Sequence, residues 1–202
     1  MHEIGVVNGR FQVLHFKHME YILAAKMRCQ KLYIGLSNPD MLHAKPSVYD
    51  ENRGTKAGNP LSYLERAEMI KGALAEFKVP ESEYEIVPFP ISYPEYITQY
   101  VPKDAVYFMG IYDEWDEEKL KVLRELGLQT EILWKKDLKD KGLTASWVRS
   151  CIATDHEWAH MVPKSVYAYL TGNELDKKIK RLELMRIEEK MVFEKKEEDE
   201  EV

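Results

Sequence analysis

The chain predicts an α/β fold: a doubly wound, parallel, five-stranded sheet with a C-terminal helical extension. Three observations carry this reading. Short apolar runs alternate with helix-period segments along most of residues 1–172, the pattern of a parallel sheet covered by helices on both faces. The first run breaks at Asn8-Gly9 and leads into a helix, as a strand-to-helix crossover requires. Beyond the last strand, Leu175, Ile179, Leu182 and Met185 recur at helical spacing.

Ile4 to Val7 reads as the first buried strand. The following helix begins near His18 and carries Met19, Ile22, Leu23 and Met27 on one face. Lys31 to Leu36 is the second strand, ending at Ser37-Asn38-Pro39-Asp40. The charged stretch from His43 to Pro60, with Gly54 and Gly58, reads as a mobile loop. Ser62-Tyr63-Leu64-Glu65 has the form of a capping box. The helix it opens turns Leu64, Ala67, Ile70, Ala73, Leu74 and Phe77 toward the core. Tyr84 to Val87 is the third strand, and Pro88, Pro90 and Pro94 punctuate an exposed turn. A short helix over Glu95–Val101 precedes a strand over Ala105–Met109. Asp113 to Leu126 is a helix stopped by Gly127, and Thr130 to Trp134 is the last strand. Residues 1–172 are expected to form one domain and 173–202 a charged helical tail. Its end, beyond Phe193, is expected to be disordered.

At 202 residues the chain fits one domain with a sizeable core. A net charge of -6 argues against a general nucleic-acid binder but leaves room for a local basic pocket. Cys29 and Cys151 fall in helical patterns and read as buried free thiols. Neither a signal peptide nor an apolar run of membrane-spanning length appears. A soluble, cytoplasmic protein with no membrane or nucleic-acid partner is expected.

The richest stretch runs from Gly9 to His18. Arg10, Gln12, His15, Lys17 and His18 lie at or before a helix N-terminus, where unpaired backbone N–H groups favour an anion. Two imidazoles three residues apart, with Arg and Lys beside them, are the side chains a polyphosphate site needs. A polar connecting loop is the plainer alternative. There is no GxGxxG and no GxxxxGK[ST], so in this Rossmann-like sheet phosphate binding falls to His, Arg and Lys. The loop follows strand one, on the carboxyl edge where such sheets bind ligands. A second constellation is Leu143-Thr144-Ala145-Ser146-Trp147-Val148-Arg149. Thr144 can cap a helix there, leaving Ser146 and Arg149 on the first turn near its positive end, suited to the outer phosphates of a nucleoside triphosphate. An ordinary capped helix with a surface arginine is the alternative.

Gly9-Arg10-Phe11-Gln12 followed by His15-Phe16-Lys17-His18 resembles the HxGH nucleotidyltransferases, most closely the archaeal-type nicotinamide mononucleotide adenylyltransferases with their GRFQPxHxGH pattern. Lys17 stands where that family has glycine. The Thr144–Arg149 stretch is similar to the family's SGTxIR or SSTxxR motif. Asn59-Pro60-Leu61-Ser62-Tyr63-Leu64-Glu65-Arg66 resembles NPFTxxER, which makes Arg66 a candidate phosphate contact. His156-Glu157-Trp158 with Met161-Val162-Pro163 resembles WxxLVP, implying core packing by Trp158 and Val162 and a helix opened by Pro163.

The resemblance implies nucleotidyl transfer by positioning and charge neutralisation. His15 and His18 would contact the triphosphate, His18 nearest the α-phosphate, with Arg149 and Ser146 on the outer phosphates. Gly9, Arg10, Phe11, Gln12, Lys17, Arg66 and Thr144 would complete the nucleotide site. Mg²⁺ would arrive with the triphosphate, because no carboxylate cluster forms a protein cage for a metal. Tyr93 in the proline turn, and Tyr112, Asp113 and Trp115 after strand four, are candidate acceptor contacts, since an aromatic can stack on a ring. Asp113 as a helix cap and Trp115 as a packing residue are the alternatives. Relatives read TNNP where this chain has Met109-Gly110-Ile111-Tyr112-Asp113-Glu114-Trp115. The expected reaction is adenylyl transfer from ATP to nicotinamide mononucleotide or a related phosphate-bearing acceptor, a step of NAD biosynthesis. The alternative is cytidylyl transfer from CTP to a phospho-alcohol or phosphonate. A catalytically silent nucleotide-binding module is the reading from another class. Relatives are often homo-oligomers, and the sequence leaves that open.

Overall fold

The computed structural model describes residues 1–42, 44–45, 51–140 and 142–200, with the backbone alone at 51–52 and 193–200. Strands β1 (His2–Gly9), β2 (Cys29–Ser37), β3 (Tyr84–Phe89), β4 (Val106–Ile111) and β5 (Gln129–Lys135) form one sheet in the order β3-β2-β1-β4-β5. Every neighbouring pair is parallel. The helices are α1 (Phe16–Lys26), α2 (Tyr63–Glu76), α3 (Glu114–Glu125), α4 (Ala145–Ala153), α5 (Lys164–Gly172) and α6 (Leu175–Glu200).

The chain winds outward from β1 to β3, then returns to place β4 on the other side of β1. Parallel crossovers are right-handed, so this reversal moves the later helix to the opposite face. One core packs Val7, Ile34 and Phe108 of the sheet against Ile22, Ile70, Val148 and Val166. The other packs Val6, Tyr107 and Phe89 against Ile97, Leu120 and Leu123. Val6 and Val7, like Tyr107 and Phe108, point to opposite cores because side chains alternate along a strand. Burial on both faces is why these strands read as continuous apolar runs.

The capping box forms as expected: Glu65 N–H donates to the Ser62 hydroxyl at 3.2 Å and Ser62 N–H to the Glu65 carboxylate at 2.6 Å. Gly127 follows the end of α3 with φ +72°, a conformation that suits glycine. Several expectations need correction. Leu64 is 66% exposed, because it lies outside the buried arc of α2 centred on Ile70. Met27 and Phe77 sit at the C-caps of α1 and α2, past the last core-facing turn, and are exposed. Cys29 opens β2, paired in register with His2, rather than lying in a helix; both cysteines are buried and free. The expected helix over Glu95–Val101 is a 3-10 helix, Pro94–Gln99. Pro163 caps α5 from outside instead of occupying its first position. The expected mobile loop falls partly outside the described residues; its later part begins with a 3-10 helix, Glu51–Gly54.

The tail is the helix α6, Leu175–Glu200; strong helix formers extend a helix once its nucleus is docked. That nucleus is Leu175, Ile179 and half-buried Leu182. A Lys178–Glu65 ion pair at 2.8 Å and an Arg149–Glu183 pair at 2.6 Å add to the docking. Among the described residues, no helix is long and apolar enough to cross a membrane.

Candidate active site

Because the strand order reverses between β1 and β4, the loops leaving their carboxyl ends diverge and open a crevice. The resulting cleft is about 450 Å³, a size that suits a nucleotide-sized ligand. The β1–α1 loop lines it with Gly9, Arg10, Phe11, Gln12, His15, Lys17 and His18. The β4–α3 segment adds Tyr112, Asp113, Trp115, Asp116 and Lys119, and the start of α4 adds Thr144, Ser146 and Arg149. Cations Arg10, Lys17, Arg53, Lys119 and Arg149 outnumber the carboxylates Asp113 and Asp116, although the whole chain is acidic. The cleft therefore draws an anion.

The β1–α1 loop is held from behind. Phe11 adopts a left-handed backbone (φ 51°) and lays its ring against Gly9, where a Cβ would come within 2.8 Å of the ring. The Gln12 side chain clamps Leu61, accepting from its N–H at 2.9 Å and donating to its carbonyl at 2.8 Å. Arg66 donates to the carbonyls of Arg10, Ser37 and Asn38 at 2.9, 2.7 and 2.7 Å. His15 is the N-cap of α1, and its side chain makes no capping bond. The Phe16 and Lys17 N–H groups are thus left for a ligand, whereas the His18 N–H bonds the His15 carbonyl at 2.9 Å. The His15 and His18 rings stack with centroids 3.7 Å apart, and Phe11 meets His18 edge-on at 5.1 Å.

His15 is buried, and its Nδ1 has no hydrogen-bond partner among the described residues. Burial lowers its pKa from 6.5 to about 4, so the ring is neutral at neutral pH and can donate N–H to a phosphate oxygen. The unfolded chain takes up this proton first as pH falls. The free protein should therefore lose stability progressively from pH 6.5 to 4, by about 3 kcal/mol, with no change from this group above that window. Urea unfolding of wild type and His15→Gln at several pH values tests this. The variant should show a flatter acid limb, and equal limbs would contradict the assignment.

Lys17 lies on the first turn of α1, with Nζ 2.6 Å from the Glu20 carboxylate, and that hydrogen bond raises its pKa. On α4, the Thr144 hydroxyl accepts from Trp147 N–H at 3.2 Å and is used as a cap. Ser146 is on the first turn. Arg149 sits one turn further in, rather than on the first turn as expected, because Thr144 caps and the helix begins at Ala145. Its Nε donates to Glu183 at 2.6 Å and its Nη1 to the Gln12 carbonyl.

The opposite wall comes from β4 and β5. Asp113 is the N-cap of α3, accepting from Asp116 N–H at 3.0 Å. Asp116 accepts from Tyr112 N–H at 3.1 Å and pairs with Lys119 at 2.8 Å. The Arg53 guanidinium lies 4.3 Å over the Trp115 ring. Trp134 meets Tyr21 and Tyr112 edge-on, and a Cβ on Gly110 would come within 2.6 Å of its indole nitrogen.

Two expected site residues are not in the cleft. Arg66 is 1% exposed and occupied by backbone carbonyls, so it shapes the loop from beneath instead of meeting phosphate. Arg66→Met should cost about 3 kcal/mol or more, by stranding buried carbonyls, while the nucleotide KM of the folded enzyme stays near wild type; unfolding and kinetics check this. Tyr93 caps the 3-10 helix and carries Lys45 3.8 Å over its ring, away from the cleft. That helix packs Ile97 into the second core, which draws the proline turn aside. Sequence reasoning missed Asn8, Tyr21, Arg53, Asp116, Lys119 and Trp134, all lining the cleft. Asn8 and Trp134 stood at strand ends and were legible there; Arg53 and Lys119 carried no local signal.

Stacked imidazoles at a helix N-terminus, facing a second helix N-terminus across a switch-point crevice, suit the handling of a triphosphate, and comparison with known proteins agrees: the chain is a nucleotidyltransferase. It belongs to the Cytidylyltransferase-like family, whose model matches residues 6–201. It is 40% identical over 176 residues to a phosphonoformate cytidylyltransferase of Streptomyces viridochromogenes, covering 87% of this chain and 95% of that one. A nicotinamide-nucleotide adenylyltransferase of Saccharolobus solfataricus is 24% identical over 183 residues, covering 88% and 95%. Among solved structures, a bifunctional NMN adenylyltransferase/ADP ribose pyrophosphatase of Francisella tularensis, complexed with AMP and a Mn ion, superposes with a TM-score of 0.66 at 15% identity. That match covers 96% of this chain but 56% of the bifunctional one, and it speaks for the fold.

Proposed function

We propose that the protein transfers a cytidylyl group from CTP to a small phosphonate or phosphate acceptor and releases pyrophosphate. The similarity to the phosphonoformate cytidylyltransferase carries this reading: 40% identity across nearly that whole protein, against 24% to the adenylyltransferase. The expected ATP and nicotinamide mononucleotide pair therefore ranks second. Two features of the cleft support the change. Tyr93, the residue expected to stack a nicotinamide ring, lies elsewhere. The cleft as a whole carries more cations, Arg10, Lys17, Arg53, Lys119 and Arg149, than carboxylates, which suits a compact, multiply charged acceptor better than a ring.

An acceptor oxygen attacks the α-phosphorus of CTP in line. A new O–Pα bond forms as the bond from Pα to the bridging β-oxygen breaks, and its electron pair leaves on pyrophosphate. Neutral His15 and the Phe16 and Lys17 N–H groups of α1 hold triphosphate oxygens. His18, further along the same turn, neutralises charge developing at the α-phosphate. Lys17, Ser146 and Arg149 hold the outer phosphates, with the N-terminus of α4 behind them. Asp113 and Asp116 are already engaged, and no group of three candidate ligands occurs among the described residues. Mg²⁺ would arrive with the triphosphate and supply charge neutralisation there.

The test is pyrophosphate release from CTP or ATP with phosphonoformate, other small phosphonates, phospho-alcohols and nicotinamide mononucleotide. CTP-dependent release with a small acceptor is expected. Turnover only with ATP and nicotinamide mononucleotide would overturn the reading, and binding without turnover across the panel would favour a silent module.

A further inference from the structure

We propose that Glu183, in the C-terminal helix α6, is a positioning residue that aims Arg149 at the triphosphate. The inference rests on reading the cleft as a triphosphate site. Glu183 and Arg149 are 34 residues apart in the chain and 2.6 Å apart in space, and their side chains are only 6% and 5% exposed. Glu183 also accepts from Arg186 at 2.9 Å, so its carboxylate is fixed from two sides.

The geometry around Arg149 is a two-point brace. Nε is held by Glu183 and Nη1 by the Gln12 carbonyl, while the residue itself lines the cleft. A guanidinium is a rigid planar fork with five N–H donors. Fixing two of its edges fixes the third, which leaves Nη2 for a ligand in one orientation. Gln12 in turn is clamped to Leu61, so the brace ties both phosphate motifs to α6. The segment that reads as a tail in the sequence thereby becomes part of the site. Lys178, one turn earlier on α6, docks the same helix through Glu65 but lies outside the cleft lining.

A structural role and a positioning role separate by ligand. Arg149 would meet the outer phosphates, which CTP has and CMP lacks. Titration calorimetry should compare CTP and CMP on wild type, Glu183→Gln, Glu183→Asp and Lys178→Met, with thermal unfolding recorded for each. Glu183→Gln is expected to weaken CTP about 10–100-fold, as loss of a partner that orients a ligating group from behind does, with CMP nearly unchanged. Glu183→Asp keeps the charge but shortens the reach; it should shift the same ratio and supplies the answer if the Gln variant does not fold. Lys178→Met should lower the melting temperature and leave the CTP:CMP preference alone. Glu183 variants that keep the wild-type preference overturn the proposal. A wild-type protein that binds CTP no tighter than CMP overturns both this and the proposed function.

Discussion

His18→Ala is expected to lower kcat about 10²–10³-fold, the range for losing one preorganised donor at a centre of developing charge, with the fold intact. His18 is only partly buried. It lies on the first turn of α1, where the helix is capped by backbone bonds to the His15 carbonyl from His18 and Met19 N–H groups. The change should therefore fall on turnover more than on CTP binding, because the group acts where charge develops during transfer. Steady-state kinetics beside a thermal melt reads both. A folded variant with wild-type kcat would contradict the role given to His18.

Arg149→Met is expected to be the most damaging single change. It removes the proposed triphosphate contact, leaves Glu183 with Arg186 alone and leaves the Gln12 carbonyl without its Arg149 donor. Breaking a buried ion pair from one side costs about 3–5 kcal/mol, whereas replacing both partners by apolar residues is often neutral. The stability and activity losses should then separate in the double variant Arg149→Met/Glu183→Leu. Unfolding free energy should recover in large part, while turnover stays at the level of the single variant. Arg149→Lys should not rescue activity, since a point-like ammonium cannot reach Glu183, the Gln12 carbonyl and a phosphate together. A stable double variant with near wild-type turnover would show that Arg149 is only a structural arginine.

The parts of this molecule that follow local rules were legible in the sequence. The central strands β1, β2 and β4 are apolar because both sheet faces are covered there, and the Ser62–Glu65 capping box, the Thr144 cap and Gly127 declare helix ends through chemistry contained in a few residues. Both motifs of the cleft were readable because each sits at a helix N-terminus in the segment that follows a strand's carboxyl end. What depends on distant partners was not. Arg66 looks like a surface cation on its helix, yet four carbonyls from three segments claim it. Tyr93 is drawn away by the packing of Ile97, and Asp116 and Lys119 line the cleft while Leu120 and Leu123 of the same helix pack into the second core. Glu183 lies within a run of charged residues whose composition suggests a solvated face; one carboxylate among them points inward because Ile179, one turn before, docks the helix there. The choice of nucleotide was likewise not local. The β1 motif fits ATP and CTP alike, and similarity along the whole chain is what favours CTP.

The most direct measurement is to run the reaction with CTP and a phosphonate acceptor labelled with ¹⁸O on its phosphorus, following products by ³¹P NMR and mass spectrometry. Attack on the α-phosphorus predicts label in the oxygen bridging the acceptor phosphorus and the cytidylyl α-phosphorus, with unlabelled pyrophosphate. Label in the released phosphate product, formation of CDP, or no consumption of CTP while ATP turns over would contradict cytidylyl transfer in this cleft.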